Sequence, residues 1–138
     1  MNAKSTLLSL FAICLLAAPL RAADAPKPAD VPASDPRAAA VISMFNAALA
    51  NDAAAFKASL SKAQAEKMAG EKIDRVMREV AGKYKQFFKE TKPQDLNYAY
   101  AGDDKQGNVI ASSKEDKAKA APNLVVTREG DAWKVNLH

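Results

Sequence analysis

The chain has 138 residues, of which 49% are hydrophobic and 26% charged, with a formal charge of +4. That is one domain's worth of ordinary globular composition. A single cysteine excludes a disulfide framework, and the modest charge, without a concentrated basic patch, excludes a nucleic-acid binder.

The first residues read as a secretory signal peptide, residues 1–22. Lys4 supplies the positive start, Leu7 to Ala18 an apolar run too short to span a bilayer comfortably, and Pro19 to Ala23 the small-residue exit. Cleavage is expected after Ala22. An alternative after Ala25 fits the Ala-x-Ala pattern better but would leave Pro26 first. Cys14 follows Ile13, too bulky for a lipoprotein signal, so the expectation is a periplasmic or secreted protein without a stable membrane anchor. Cleavage removes Lys4, Arg21 and Cys14, leaving 18 basic against 16 acidic residues and no cysteine. Such a domain enters an oxidising compartment held only by its packed core.

Residues 23–34, with Pro26, Pro28 and Pro32, lack apolar periodicity and read as a flexible Pro/Ala-rich leader to a domain over 35–138. Asp35-Pro36 opens a helix, with the carboxylate as N-cap and proline in the first turn. Ala38, Val41, Ile42, Phe45, Ala48 and Leu49 form one apolar stripe along it. After Asn51-Asp52 a short helix turns Ala53, Phe56 and Leu60 inward. Ser61 and Gln64, at capping-box spacing, open a third that reaches Phe88 or Lys89. Its stripe takes Met68 or Ala69, then Ile73, Val76, Met77, Val80, Tyr84, Phe87 and Phe88. Outside it, Glu71 with Arg75, Asp74 with Arg78 and Glu79 with Lys83 stand at i,i+4 spacing on a solvated face. Gly70 and Gly82 allow a kink or break.

Lys92-Pro93 ends the helical half. Leu96, Tyr98 and Tyr100 alternate with Asn97, Ala99 and Ala101, and a turn over Gly102 to Gly107 leads to a second strand over Val109 to Lys114. A charged connection, Glu115 to Ala121, precedes a closing hairpin in which Leu124 and Val126 alternate with Val125 and Thr127. After Glu129-Gly130-Asp131 turns the chain, Trp133, Val135 and Leu137 line one face. The fold class expected is α+β, with two to three N-terminal helices packed on an antiparallel four-stranded sheet.

Two stretches carry a family resemblance. Arg37 to Ala54 (RAAAVISMFNAALANDAA) is an alanine-rich helix with phenylalanine and leucine before an Asn-Asp that starts the next helix. It resembles the opening of many nuclear transport factor 2-like (cystatin-like fold) domains. Thr127 to Val135 (TREGDAWKV) resembles their closing strand pair, with a turn leading to Trp-Lys-Val. Within that superfamily the chain is most similar to a bacterial secreted branch of unknown function, over about Asp35 to Leu137. The resemblance implies a curved, cone-like sheet wrapped round the helices, with an open end able to hold a ligand. It implies little about activity, since a core tryptophan serves any pocket. The small residues of the first hairpin, Ala99, Ala101, Ala111, Ser112 and Ser113, either line such a cavity or let helices approach.

Against that frame Trp133, Val135, Phe56 and Val41 are expected as structural core, and Phe45, Tyr84, Tyr98 and Tyr100 as candidate pocket lining. Steroid isomerases of the superfamily set a tyrosine beside a carboxylate base. Here the strand acids Asp95 and Glu129 stand at solvated strand ends, so no catalytic residue is assigned. His138, at the frayed terminus, is no better a base, and without cysteine or clustered histidine no transition-metal site or cofactor is assigned. Asp103-Asp104 reads as a solvated turn with too few oxygens for Ca²⁺. The function expected is an exported non-enzymatic binding module for a small apolar ligand or a protein partner, as monomer or homodimer. The alternatives are a small isomerase, dehydratase or hydrolase of the same fold using Tyr98 or Tyr100, and a periplasmic inhibitor or immunity protein.

Overall fold

The computed structural model describes residues 27–68, 70–115 and 124–137. The expected signal peptide, residues 116–123 of the charged connection and hairpin entry, and His138 lie outside them. The described fold is α+β. Strand β1 (Ala29–Val31) precedes helices α1 (Pro36–Leu49), α2 (Ala53–Ser59), α3 (Lys62–Lys67) and α4 (Glu71–Phe88). A 3₁₀ turn (Pro93–Asp95) then leads to β2 (Asn97–Gly102), β3 (Gln106–Ser112), β4 (Leu124–Glu129) and β5 (Ala132–Asn136). The five strands form one antiparallel sheet in sequence order.

Two counts differ from the sequence expectation. The fifth strand comes from the stretch read as leader, where Ala29, Asp30 and Val31 pair with Tyr100, Ala99 and Tyr98. Prolines at 28 and 32 bracket these three residues and withhold N–H donors, which suits a short edge strand closed to further pairing. The fourth helix arises because Gly70, at φ 64°, separates α3 from α4, whereas Gly82 sits inside α4 without interrupting it. The second strand also starts at Gln106 rather than Val109, because Asp103 Oδ1 accepts from the Lys105 and Gln106 amides and tightens the turn.

Helix α1 is the centre of the molecule. Asp35 caps it by accepting from the Arg37 amide at 3.0 Å, with Pro36 in its first turn. It lies on the sheet while α2 and α4 pack against it. Covered on two sides, it buries Ala40, Met44 and Ala47 besides Ala38, Val41, Phe45 and Ala48, while Ile42 and Leu49 are only half-buried. The single stripe read from its spacing is therefore too narrow. Four of these buried positions are alanines, and small side chains let the backbone approach both neighbours. Asn51, at φ 56°, then turns the chain, and Asp52 caps α2 through the Ala55 amide.

Helix α4 buries Ile73, Met77, Tyr84 and Phe88 along one side. Its charged outer face forms none of the three expected ion pairs within 4 Å, because solvent offers exposed side chains as much as a partner does. The free edge of β5 is covered rather than open. Ser61 donates its amide to the Val135 carbonyl at 2.9 Å, the Ser61 hydroxyl meets Asn136, and Gln64 Oε1 accepts from the Leu137 amide. Leu60 forms a parallel bridge with Val135 there.

Candidate functional site

The connection leaving α4 is a tight turn held by buried tyrosines. Thr91 donates its amide to the Phe88 carbonyl at 3.0 Å, closing a four-residue turn over Phe88–Thr91. Lys89, its second residue, has φ 53° and ψ −116°. These angles match the first central position of a type II′ turn, near about +60° and −120°, where glycine is the ordinary occupant. A side chain held there costs about 1–3 kcal/mol and persists only where the surroundings fix the backbone. The Tyr84 hydroxyl donates to the Thr91 carbonyl, and the Tyr98 hydroxyl to the Pro93 carbonyl at 2.6 Å. Burial, assisted by the nearby Asp95 charge, pushes the Tyr84 hydroxyl up to about 12, and burial raises Tyr98 as well. Both are neutral donors at ordinary pH, committed to holding residues 91–93.

Between that turn and the C-terminal end of α1 lies an open groove of about 800 Å³. The size is that of a small-molecule site. Leu49, Tyr84 and Pro93 give it apolar walls, while Lys85, Lys89 and Lys92 stand around it against one acid, Glu90. The three lysines form no ion pair among the described residues.

The opposite end of α1 is built differently. The Asp35 carboxylate grips Arg37 through Nε at 2.8 Å and Nη2 at 2.7 Å. The Arg37 guanidinium lies 4.1 Å from the centre of the Tyr100 ring, and Trp133 meets that ring edge-on at 6.0 Å. Tyr100 on β2 and Trp133 on β5 have two strands between them in the sheet, and glycine makes their contact possible. A Cβ on Gly107 would run into the Tyr100 hydroxyl and ring, and one on Gly102 into the Gly107 backbone. With neither present, the ring lies across the sheet and donates its hydroxyl to the Asp103 carbonyl at 2.6 Å. The hydrogen bonds from Arg37 hold the Asp35 carboxyl below its usual range, and those from the Lys105 and Gln106 amides do the same for Asp103. A smaller cleft of about 280 Å³ beside Trp133 is lined by Asp35, Arg37, Asp104 and Arg128, two acids against two bases.

The four aromatic residues expected to share one pocket are thus divided between the two ends. Phe45 is buried with its ring 5.0 Å from that of Tyr84, which itself walls the groove. Tyr98 reaches a separate cleft of about 330 Å³ beside β1, and Tyr100 serves the Arg37 stack. Of the expected core, Val41, Phe56 and Val135 are fully buried, whereas Trp133 is half-buried at its margin. It stands just past the β4–β5 turn, near the start of β5. The sequence reading missed Lys85, Lys89 and Lys92. The available signal was three lysines within eight residues around a helix end, two of them four apart beside Tyr84.

Among the described residues no three His, Cys, Asp or Glu side chains gather as a metal site, and no helix is long and apolar enough to cross a membrane. Compared with known proteins, the chain matches no family model, no curated protein and no solved structure.

Proposed function

We propose that this chain is an exported binding domain of nuclear transport factor 2-like type that seats a small ligand in the groove between the end of α1 and the Phe88–Thr91 turn. The observation that carries the reading is the fixed rim of that groove. Two buried tyrosine hydroxyls pin the carbonyls of Thr91 and Pro93, so the walls are set before any ligand arrives. The described architecture, helices on one face of an unclosed antiparallel sheet, agrees with the proposed family.

Binding rather than catalysis is favoured by what the tyrosines do. All three hydroxyls donate to backbone carbonyls. Asp103, whose backbone carbonyl accepts from the Tyr100 hydroxyl, has an exposed carboxyl held acidic by backbone amides, whereas a general base benefits from a raised pKa. Native mass spectrometry of the mature protein, recovered from its own exporting host, tests the reading. An added mass that persists until denaturation, and is displaced in a variant that fills the groove such as Leu49→Trp, is expected. A clean apo species from that host, with no small molecule retained from its extract, contradicts a small-ligand role. The same spectrum reports the cleavage site and whether the protein is a monomer or homodimer.

A further inference from the structure

We propose that the groove takes a small organic anion, its charged head held among Lys85, Lys89 and Lys92 and its carbon body laid along Leu49, Tyr84 and Pro93. The inference rests on the reading of this groove as the ligand site and names the class of ligand.

Three observations converge on it. The first is charge. Three lysines line one groove with a single glutamate among them. The C-terminal end of α4 attracts a cation, and Lys85, in its last turn, already serves that end. Lys89 and Lys92 add like charge beside the same groove, which favours an anion there.

The second is the residue chosen for the turn. Lys89 occupies the position of a type II′ turn that glycine fills without strain. For the backbone alone, glycine is the better residue. The gain from lysine therefore lies in its side chain, and that side chain borders the groove. The third is the wall. Half-buried Leu49 borders the groove together with Tyr84 and Pro93, so a bare inorganic ion would leave this apolar wall unused, while a neutral apolar molecule would draw nothing from the three lysines. An anion with a carbon body uses both.

The test is a fluorescence titration of the mature protein with two probes, anilinonaphthalene sulfonate and phenylnaphthylamine, which share a ring system and differ in the sulfonate. The sulfonate is expected to bind about tenfold more tightly at low salt, with the advantage shrinking as salt screens the lysines. Lys89→Gly and Lys92→Glu are each expected to remove most of that advantage while leaving the neutral probe's affinity unchanged. Lys89→Gly is also expected to melt higher than the parent, so its loss of binding cannot come from unfolding. Equal affinity for the two probes, unchanged in both variants, would leave an apolar ligand site and overturn the anion. A sulfonate preference that survives both substitutions places the anion elsewhere and overturns the proposal. Binding of neither probe overturns the ligand groove itself.

Discussion

The two ends of helix α4 carry nearly the same backbone conformation and opposite residues. Before its first turn Gly70 has φ 64° and ψ −128°; after its last, Lys89 has φ 53° and ψ −116°. Space does not decide between them at Gly70, where a Cβ would meet nothing within 4 Å. Conformation does, because a left-handed φ with this ψ suits glycine and strains any side chain. At one end the chain follows backbone chemistry. At the other it departs from it, beside the groove at the C-terminal end of α1. The contrast repeats along α1, whose N-terminal end answers Arg37 with Asp35 and with Tyr100, itself backed by Trp133, while its C-terminal end meets a groove lined by three lysines. The charge at one end is held by partners within the chain, whereas those at the other stand around a groove beside a turn that strains its own backbone.

The largest effect belongs to the glycine that space requires. Gly107→Ala is expected to destabilise the domain by about 3 kcal/mol, because the new methyl collides with the buried Tyr100 ring and with the Ala101 carbonyl. Urea denaturation measures this, and a midpoint equal to the parent's would show that the Arg37–Tyr100–Trp133 end is looser than its geometry. Trp133→Ala comes next, at about 2 kcal/mol, less than for a fully enclosed aromatic because Trp133 is half-buried. Unchanged melting would remove Trp133 from the structural account.

Tyr84→Phe sharpens the comparison at the groove end. It loses one hydrogen bond to Thr91 and is expected to cost about 1 kcal/mol at neutral pH. The sign of the pH effect follows from burial. The folded-state pKa is raised from 10.0 to about 12, so the neutral form is favoured by folding. That contribution is complete below pH 10 and is lost as pH rises from 10 through about 12. Parent melting temperatures should therefore fall across that window, and Tyr84→Phe should fall less steeply. Identical slopes would mean that the hydroxyl titrates as if exposed.

Much of the scaffold was legible in the sequence because its signals are local. Asp35-Pro36 marks a helix start through its cap, Asp52 and Ser61 do the same for the next two, and alternation through Tyr98, Tyr100, Val126 and Val135 marks one face of a sheet. Strand β1 was hidden, since three residues between prolines show no periodicity and become a strand only by pairing with β2. The second covered side of α1 was hidden because alanines weaken any stripe. The division of the aromatic residues was hidden too, since alternation gives a face but not which end of it a ring reaches. Gly102 and Gly107 direct Tyr100 toward Trp133, and that direction is a property of the paired strands. The lysines lay in plain sight as solvated charge. Only the turn geometry at Lys89 distinguishes them from the similar charges on the outer face of α4.

The most direct measurement is a pair of melting curves on the mature protein without ligand, for Lys89→Gly and Gly70→Lys. The account predicts opposite shifts of about 1 kcal/mol each, upward for Lys89→Gly, where strain is released, and downward for Gly70→Lys, where it is introduced. A fall in stability for Lys89→Gly would contradict it, because Lys89 would then serve the fold and the two ends of α4 would be alike.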